Sequence, residues 1–568
     1  AIFIGRLEQD NARRRRQGVI DGAFERPNDP DRNDAPDAQI KTVGGPAGGV
    51  WNLWSSGQLG EYLDFAGAGK YRIAVTAYGS PAGKVWPKMS LRVNDATLPP
   101  VDVVGAKPEV YVFVVTLGKG PTKVVVTFDN DAVIGKEDRN LYLAQIEITP
   151  PEGVDQPKII PMAKAIAKEN AEHERAELAA LKQADIDIEK NRKRDAVIRV
   201  VDAAGKPVAG AAVKIEHIRH DFLFGCNIYM FDRFGKPAEN AEYKKRFGEL
   251  FNAATTGFYW RSYEWEKGKP KYAYTDAVVK WAREHHIRLK GHPLLWDHRA
   301  AKPKWADGKQ PPVDVQKKRV FDIMQRYSGK IEFWEVVNEP SHLPRFKIDA
   351  PYRWARQADK NAYLIINDYY VMANGYPPFF KLLEKTIASG VPFDGIGIQA
   401  HEPRTMRFPL GRCKEILDKY ATLGKELHVT EFTPTSSGAK ITGSHVGRVW
   451  DEAAQAEYAE KFFCVCFAHK HMVALTWWDL CERGAWLKGG GLLRKDLSPK
   501  KVYTILKKLI HEQWSTDITA RSDPAGKLAF RGFHGTYAVT VTRGDKTTKS
   551  EFHMVAKGPS TFTIKLGR

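Results

Sequence analysis

Phe333-Trp-Glu-Val-Val-Asn-Glu-Pro340 joins a short, mostly apolar run to two polar residues and a proline. Five residues of this kind, stopped by a proline shortly afterwards, have the length of a buried strand rather than of a helix. The pattern recurs along the chain in Phe222-Leu-Phe-Gly225, Ile287-Arg-Leu-Lys290, Tyr363-Leu-Ile-Ile366, Gly395-Ile-Gly-Ile398, Leu427-His-Val-Thr430 and Val473-Ala-Leu-Thr476. One further run near residues 251–255 makes eight. Amphipathic helical stretches separate them, and such alternation predicts βα units on a parallel sheet. Eight units predict an α/β protein with a (β/α)₈ TIM barrel over residues 195–512.

The flanks have a different texture. Residues 1–150 carry short alternating segments such as Tyr71-Arg-Ile-Ala-Val-Thr-Ala-Tyr78 and Lys123-Val-Val-Val-Thr-Phe128, separated by Gly, Pro and Asn, which predicts a β-sandwich. Residues 151–194 read as a Pro-broken linker followed by a helix rich in Ala, Glu and Lys, a connector rather than a site. Residues 513–568 return to alternation, as in Tyr537-Ala-Val-Thr-Val-Thr542, and predict a small β module. At 568 residues the chain accommodates a large barrel with smaller companions, given a prior of roughly 150 residues per domain.

Hydrophobic residues make up 43% and charged residues 27%, the balance of a globular protein, and no apolar run reaches the roughly 18 residues a membrane span needs. The opening Ala1-Ile-Phe-Ile-Gly5 is too short for a signal peptide, which leaves a cytoplasmic protein or a processed mature chain. Five cysteines, an odd number without metal-site spacing and mostly in apolar surroundings, read as core thiols. A net charge of +19 draws polyanions. The densest basic run, Arg13 to Arg16, lacks interleaved aromatics and reads as a solvated face, so nucleic acid is not an expected partner and an acidic polysaccharide is a candidate.

In a barrel the active site lies at the carboxyl ends of the strands, so the polar residues following each apolar run are the ones to inspect. They are His292, Asn338-Glu339, Asn367-Asp368, Gln399 with His401, Glu431, and Trp477-Trp478. A Glu at one strand end is usually a salt-bridge partner and a Trp is usually core. A packed core has no use, however, for carboxylates, imidazoles and carboxamides gathered on one rim. Glycosidic bond cleavage does: one carboxyl protonates the leaving oxygen while a second attacks or stabilises the oxocarbenium-like centre. Aromatic rings supply flat apolar platforms for sugar faces.

The motifs Gly291-His-Pro-Leu-Leu-Trp296, Trp334-Glu-Val-Val-Asn-Glu-Pro340, Ile366-Asn-Asp-Tyr369, Gly397-Ile-Gln-Ala-His401, Thr430-Glu431 and Leu475-Thr-Trp-Trp478 leading to Trp486 resemble glycoside hydrolase family 10, the endo-β-1,4-xylanases. The resemblance implies a retaining endo-acting hydrolase of β-1,4-xylan or a related plant or algal polysaccharide. Glu339 would be the general acid/base and Glu431 the nucleophile. Asn338 would bind the C2 hydroxyl of the sugar in subsite −1, and His401 would hydrogen-bond the nucleophile. His292, Trp296 and Gln399 would line the cleft, with Trp478 and Trp486 as apolar walls. No cofactor is implied for catalysis. The segment Val197 to Val208, at the start of the barrel stretch, also resembles the lead-in strands found ahead of many such barrels.

Three departures bear on specificity. The Glu-Asn-x-x-Lys that the family carries after strand two for glycone sugars is absent from Thr255-Thr-Gly-Phe-Tyr-Trp-Arg-Ser-Tyr-Glu-Trp-Glu266. Tyr259, Trp260 and Arg261 are the expected sugar contacts in a rebuilt −2 region, with pairing of Arg261 to Glu264 or Glu266 as the alternative. Asp297 replaces the usual His after Trp296, with His298 one place later. Thr433 stands where the family has an Asp, which removes an expected partner of His401. An Arg in the −2 region would suit a uronate- or sulfate-bearing glycan, the rival enzyme reading. A non-catalytic polysaccharide-binding barrel is the rival from another class, although binding alone needs neither glutamate.

Val85-Trp-Pro-Lys-Met-Ser-Leu-Arg-Val-Asn94 with Val124-Val-Val-Thr-Phe-Asp-Asn-Asp131 and Asp138-Arg-Asn-Leu-Tyr142 is similar to calcium-dependent xylan-binding modules. That likeness implies Ca²⁺ at Asp131 and Asp138, although Ala132 to Glu137 departs from the expected pattern. A polymeric substrate in turn implies a secreted or periplasmic protein.

Overall fold

Eight parallel strands pair in sequence order and the last returns to the first, closing a barrel in the computed structural model. The structure describes residues 2–3 and 38–567, apart from 95, 162–164, 166, 344–345, 402–403, 443, 445 and 447. The basic run Arg13 to Arg16 lies outside the described residues. Two compact units are present: Ala1–Glu174 with His445–Gly447, and Arg175–Ser444 with Arg448–Arg568.

The first unit is an antiparallel two-sheet sandwich. One sheet runs in the order Glu109–Leu117, Gly69–Ser80, Asn140–Thr149, Val50–Leu53, Gly45–Ala47. The other runs Lys158–Ile159, Gly57–Phe65, Gly120–Phe128, Lys88–Val93, Ala96–Thr97. Alternation turns Tyr71, Ile73, Val75 and Ala77 into a core shared with Leu59, Phe65, Leu91, Val124 and Val126. In Asn140–Thr149 the apolar positions change parity, from Leu141 and Leu143 to Ile146 and Ile148. A register shift between Leu143 and Gln145 absorbs the extra residue and keeps all four facing inward.

In the second unit the barrel strands are β1 (Leu223–Asn227), β2 (Ala253–Gly257), β3 (Arg288–His292), β4 (Phe333–Asn338), β5 (Tyr363–Asp368), β6 (Gly395–Ala400), β7 (Glu426–Phe432) and β8 (Met472–Trp477). β1 and β2 begin one or two residues later than the apolar runs in the sequence suggest, and so end on Asn227 and Gly257. Strands β4, β6 and most of β7 are buried along their whole length, as strands covered on both faces must be. The covering helices bury one stripe each. Tyr272–Glu284 buries Thr275, Val278, Val279 and Ala282, and Val313–Tyr327 buries Gln316, Arg319, Val320, Ile323, Met324 and Tyr327, all at helical spacing. A fully buried aliphatic side chain such as Val320 or Leu364 contributes roughly 1.5–3 kcal/mol. Where β3 passes β4, Gly291 leaves room for Trp334, whose ring atoms would lie 2.4 Å from any Cβ there.

The lead-in segment and the C-terminal segment prove to be halves of one sandwich. Lys193–Val201 pairs with Lys527–Phe533 and Thr561–Lys565, while Ala212–His220 pairs with Asp517–Arg521 and Gly535–Arg543. Ile198, Val200, Val213 and Ile215 pack against Val539, Val541, Met554 and Ile564 in a single core. The terminal strands alone would leave those apolar rows bare. The helix Ala167–Arg192 is held to the barrel at its far end, where Arg192 donates to the carbonyls of His469 at 2.7 Å and Met472 at 2.6 Å. Within the same helix, Glu177 receives two hydrogen bonds from the buried Arg407 guanidinium at 2.8 and 2.9 Å.

Candidate active site

Three strands break register where their functional residues stand. The β4–β5 pairing shifts between Glu335 and Asn338, the β6–β7 pairing between Ile398 and Gln399, and the β7–β8 pairing between Val429 and Phe432. Such irregularities re-aim side chains. Glu339 goes further, with φ of 55°, a left-handed conformation that is strained for a residue with a β-carbon. Its main-chain N–H donates to Asn367 O at 3.0 Å, and its carbonyl accepts from Leu343 at 2.8 Å.

The Glu339 carboxyl is ringed by neutral donors: Trp296 Nε1 at 2.9 Å on Oε2, and Gln399 Nε2 at 3.0 Å and Asn338 Nδ2 at 3.1 Å on Oε1. Burial pushes its pKa up to about 8, with the nearby charges of Asp368 and Glu431 adding to the rise against the hydrogen bonds from Gln399 and Trp296. It therefore carries a proton at neutral pH. Glu431 sits across the rim, with Gln399 as its register neighbour. Asn367 Nδ2 donates to its Oε1 at 2.9 Å, and His401 Nε2 lies 2.8 Å from its Oε2.

His401 is not left without its expected support. Its Nδ1 lies 2.9 Å from Thr433 Oγ1, so the threonine that replaces the family's aspartate still orients the ring, through a hydroxyl in place of a carboxylate. Neutral imidazole with Nε2–H toward Glu431 requires Nδ1 to accept, which the Thr433 hydroxyl satisfies. The change removes a charge, not a partner.

Beneath the rim lies a buried network that inspection of strand ends passes over. Glu335, fully buried inside β4, bonds His292 Nδ1 and Lys290 Nζ, the latter at 2.5 Å, and Asn367 Nδ2 stands 3.3 Å away. Burial alone would raise the Glu335 pKa, but the Lys290 ammonium and the hydrogen bonds from Lys290 and His292 hold it well below the usual carboxylate range. His292, Glu335 and Glu431 bring ligand atoms within 4.8 Å of one another. With the Lys290 ammonium already on Glu335, the cluster is an ion-pair network and not the donor set of a metal centre. Asn367 links the layers, donating to Asn338 Oδ1 at 3.0 Å and accepting from Thr430 Oγ1 at 2.6 Å. Its position at a strand end was a usable signal. Glu335 has only its inward parity within an apolar run.

Around the carboxyls the walls are aromatic. The Trp478 ring, almost fully buried, stands 5.4 Å from His292, 5.8 Å from His401 and 5.7 Å from Tyr229. Trp486 is 56% exposed and meets His401 edge-on at 4.5 Å, so its ring stands at the rim. Tyr259 faces inward, its ring 5.5 Å from His292 and 5.9 Å from Trp296. Tyr229 and Tyr259 adjoin each other at 5.9 Å. On the other side His342 stacks between Tyr369 at 3.5 Å and Tyr376 at 4.2 Å, with Nδ1 2.6 Å from the buried Asp368.

One expected sugar contact, Trp260, turns out to be packing, and the alternative ion pair of Arg261 is not formed. Trp260 is buried, with its Nε1 on Glu264 and its ring under the Arg319 guanidinium at 4.7 Å, so it is a packing residue. Arg261 pairs with neither Glu264 nor Glu266: Glu264 accepts from Trp260 and Gly268, and Glu266 pairs with Lys269. Asp297 pairs with Lys302 at 2.8 Å, and His298 stacks on Trp296 at 4.3 Å.

In the first unit, Asp131 precedes and Asp138 ends a two-by-two residue hairpin, Val133–Ile134 with Glu137–Asp138. Asp138 Oδ2 accepts from Asn140 Nδ2 at 3.1 Å. Between them, the buried Arg139 guanidinium takes the carbonyls of Val85, Ala82 and Asn130. Carboxylate oxygens suit calcium in kind, but two residues fall short of the roughly six to eight oxygens it takes, and the remainder would have to come from main chain or sugar.

A parallel barrel whose strand ends hold one protonated glutamate and one hydrogen-bonded glutamate, walled by indoles, defines a class, the barrel glycoside hydrolases. Residues 215–509, just over half of the chain, match the family model described as glycosyl hydrolase family 10, and the chain belongs to that family. Residues 72–158 match a second model, a Ca-dependent carbohydrate-binding module, xylan-binding. The chain is 26% identical to the anti-sigma-I factor RsgI6 of Acetivibrio thermocellus over 68% of its own length and 48% of that protein. It is also 26% identical to endo-1,4-beta-xylanase 2 of Arabidopsis thaliana, over 65% of its own length and 34% of that protein. With endo-1,4-beta-xylanase B of Thermotoga neapolitana the identity is again 26%, over 46% of this chain and 82% of the relative. The chain thus spans about half, or less, of the length of the first two relatives.

Proposed function

We propose that this chain hydrolyses β-1,4-xylan or a related β-linked polysaccharide by double displacement, cutting within the chain. The observation that carries the reading is the opposed company of Glu339 and Glu431. Glu339, protonated at neutral pH, delivers its proton to the leaving glycosidic oxygen while Glu431 Oε attacks the anomeric carbon, giving a glycosyl ester and a free sugar alcohol. Esterification removes the Glu431 charge that helps to hold the Glu339 proton, so Glu339 becomes the better base for the second step. It then takes a proton from water as that water displaces Glu431 from the anomeric carbon. Asn338, oriented by Asn367, presents Nδ2 beside Glu339, where the C2 hydroxyl of the bound sugar would lie. Trp478, Trp486 and Tyr259 supply its apolar walls.

The polymeric substrate supports an extracellular workplace, secreted or periplasmic. The match of residues 72–158 supports a polysaccharide-binding module in which Asp131 and Asp138 would hold calcium. Chelation should then weaken its affinity for xylan; unchanged affinity would take calcium out of the account. The enzymatic reading is tested by recording the anomeric form of the first product released from xylan. A retained β-anomer is expected, and release of the α-anomer contradicts the roles of both glutamates.

A further inference from the structure

The loops after β2 and β3, residues 258–271 and 293–312, hold eight Lys or Arg residues (Arg261, Lys267, Lys269, Lys271, Arg299, Lys302, Lys304, Lys309) against four acids (Glu264, Glu266, Asp297, Asp307). Of the acids, Glu266 and Asp297 are spent on Lys269 and Lys302, and Glu264 on the Trp260 indole and the Gly268 N–H. The remaining cations have other company. Lys271 and Lys304 lie over the half-exposed Trp265 ring at 5.0 and 3.9 Å, and Lys267 lies over Trp305 at 5.6 Å. Arg261 and Arg299 are exposed and meet where the two loops touch, Arg261 Nη1 reaching the Arg299 carbonyl at 3.5 Å. Among the described residues neither guanidinium has a carboxylate partner.

Their place matters more than their number. Arg261 is two residues beyond Tyr259, and Arg299 is three beyond Trp296, whose indole holds Glu339. The Tyr259 and Trp296 rings stand 5.9 Å apart in one wall of the cleft. A glycan lying against that wall would extend toward the two loops that carry Arg261 and Arg299, which touch through the Arg261 guanidinium and the Arg299 carbonyl. An exposed guanidinium without a carboxylate partner, on a loop that also supplies a ring to the cleft wall, is free to take a planar or tetrahedral anion, which guanidinium binds in bidentate fashion.

We infer that Arg261 and Arg299 bind an anionic substituent, carboxylate or sulfate, on the β-linked glycan held in the barrel cleft, so that the enzyme favours acidic over neutral chains. This rests on the glycan-cleaving reading above and narrows its substrate class. The neighbouring lysines raise the local anion concentration and make the preference sensitive to salt.

The test uses the full chain carrying Glu431→Gln, so that bound sugar is not cut. Calorimetric titration compares neutral xylo-oligosaccharides with chains of the same length bearing glucuronate or sulfate, at low and high ionic strength. Affinity about tenfold higher for a charged chain is expected, shrinking in high salt. A gain confined to glucuronate identifies carboxylate, and a gain confined to the sulfated chain identifies sulfate. Adding Arg261→Gln with Arg299→Gln should bring charged and neutral chains within about twofold of each other, with folding checked by circular dichroism. Equal affinities in the parent, or a gain that survives both substitutions, overturns the inference. If the wild type cleaves neutral xylan and no gain appears, this inference alone fails. If no xylan chain, charged or neutral, is bound or cut, it fails together with the proposed function.

Discussion

The ends of β4 and β7 carry the same residue type in opposite company. Glu339 at β4 is met by an indole N–H and two carboxamides, none of them charged, in a setting where burial and two neighbouring carboxylates favour the proton. Glu431 at β7 is met by the Asn367 amide and by an imidazole whose other ring nitrogen lies against the Thr433 hydroxyl. The glutamates themselves are interchangeable as chemicals. The division of labour proposed for them rests on what each strand end is packed against, which favours the proton on Glu339.

The strongest way to break the comparison is to remove the attacking oxygen. Glu431→Gln should lower kcat/KM on xylan by at least about 10⁴-fold, measured as initial rates of reducing-end release, and near-wild-type turnover would refute the nucleophile. Glu339→Gln should cost about 10²–10⁴-fold. It should also abolish the alkaline limb of the pH profile: wild-type activity falls as pH rises through about 8, where Glu339 loses its proton. An alkaline limb unchanged in the variant would place that titration elsewhere.

Glu335→Gln sharpens the comparison from below, because it leaves the Lys290 ammonium buried without its counter-charge. A loss of about 3–5 kcal/mol in stability is expected from urea unfolding. The sign follows from the depressed native pKa: the stabilisation is present above the ordinary glutamate range and is lost as pH falls through the native value. The wild type should therefore lose more stability on acidification than the variant does. Smallest is Thr433→Val, which keeps shape but deletes the hydroxyl at His401 Nδ1. A few-fold fall in kcat, at most about tenfold, with KM little changed, is expected. No change at all would mean that the imidazole is held by packing against Trp478 and Trp486 alone.

Local pattern made some residues legible and hid others. The strand ends bearing Asn338, Glu339, Gln399, His401 and Glu431 stood out because a polar residue after an apolar run is visible one residue at a time. Glu335 did not, since one acid inside Phe333–Asn338 looks like a break in a strand until Lys290 from β3 is seen beside it. Trp260 looked like a sugar platform by its chemistry, yet the short helix Trp260–Tyr263 turns it into the packing beneath Arg319. Thr433 looked like a loss because side-chain identity suggests charge, whereas distance shows a hydrogen bond.

Taken alone, the sequence determined the eight βα units, the sandwich texture at the start, and which residues stand at strand ends, because these follow from local periodicity and from where apolar runs stop. Tertiary structure alone decided that Lys193–Val201 and Ala212–His220 complete a sandwich with strands some three hundred residues later. It alone showed, too, the burial and the neighbouring carboxylates that favour a proton on Glu339. Both outcomes depend on groups brought together from distant parts of the chain. Pairing, desolvation and Coulomb interactions act through distance in space, of which order along the chain carries no record.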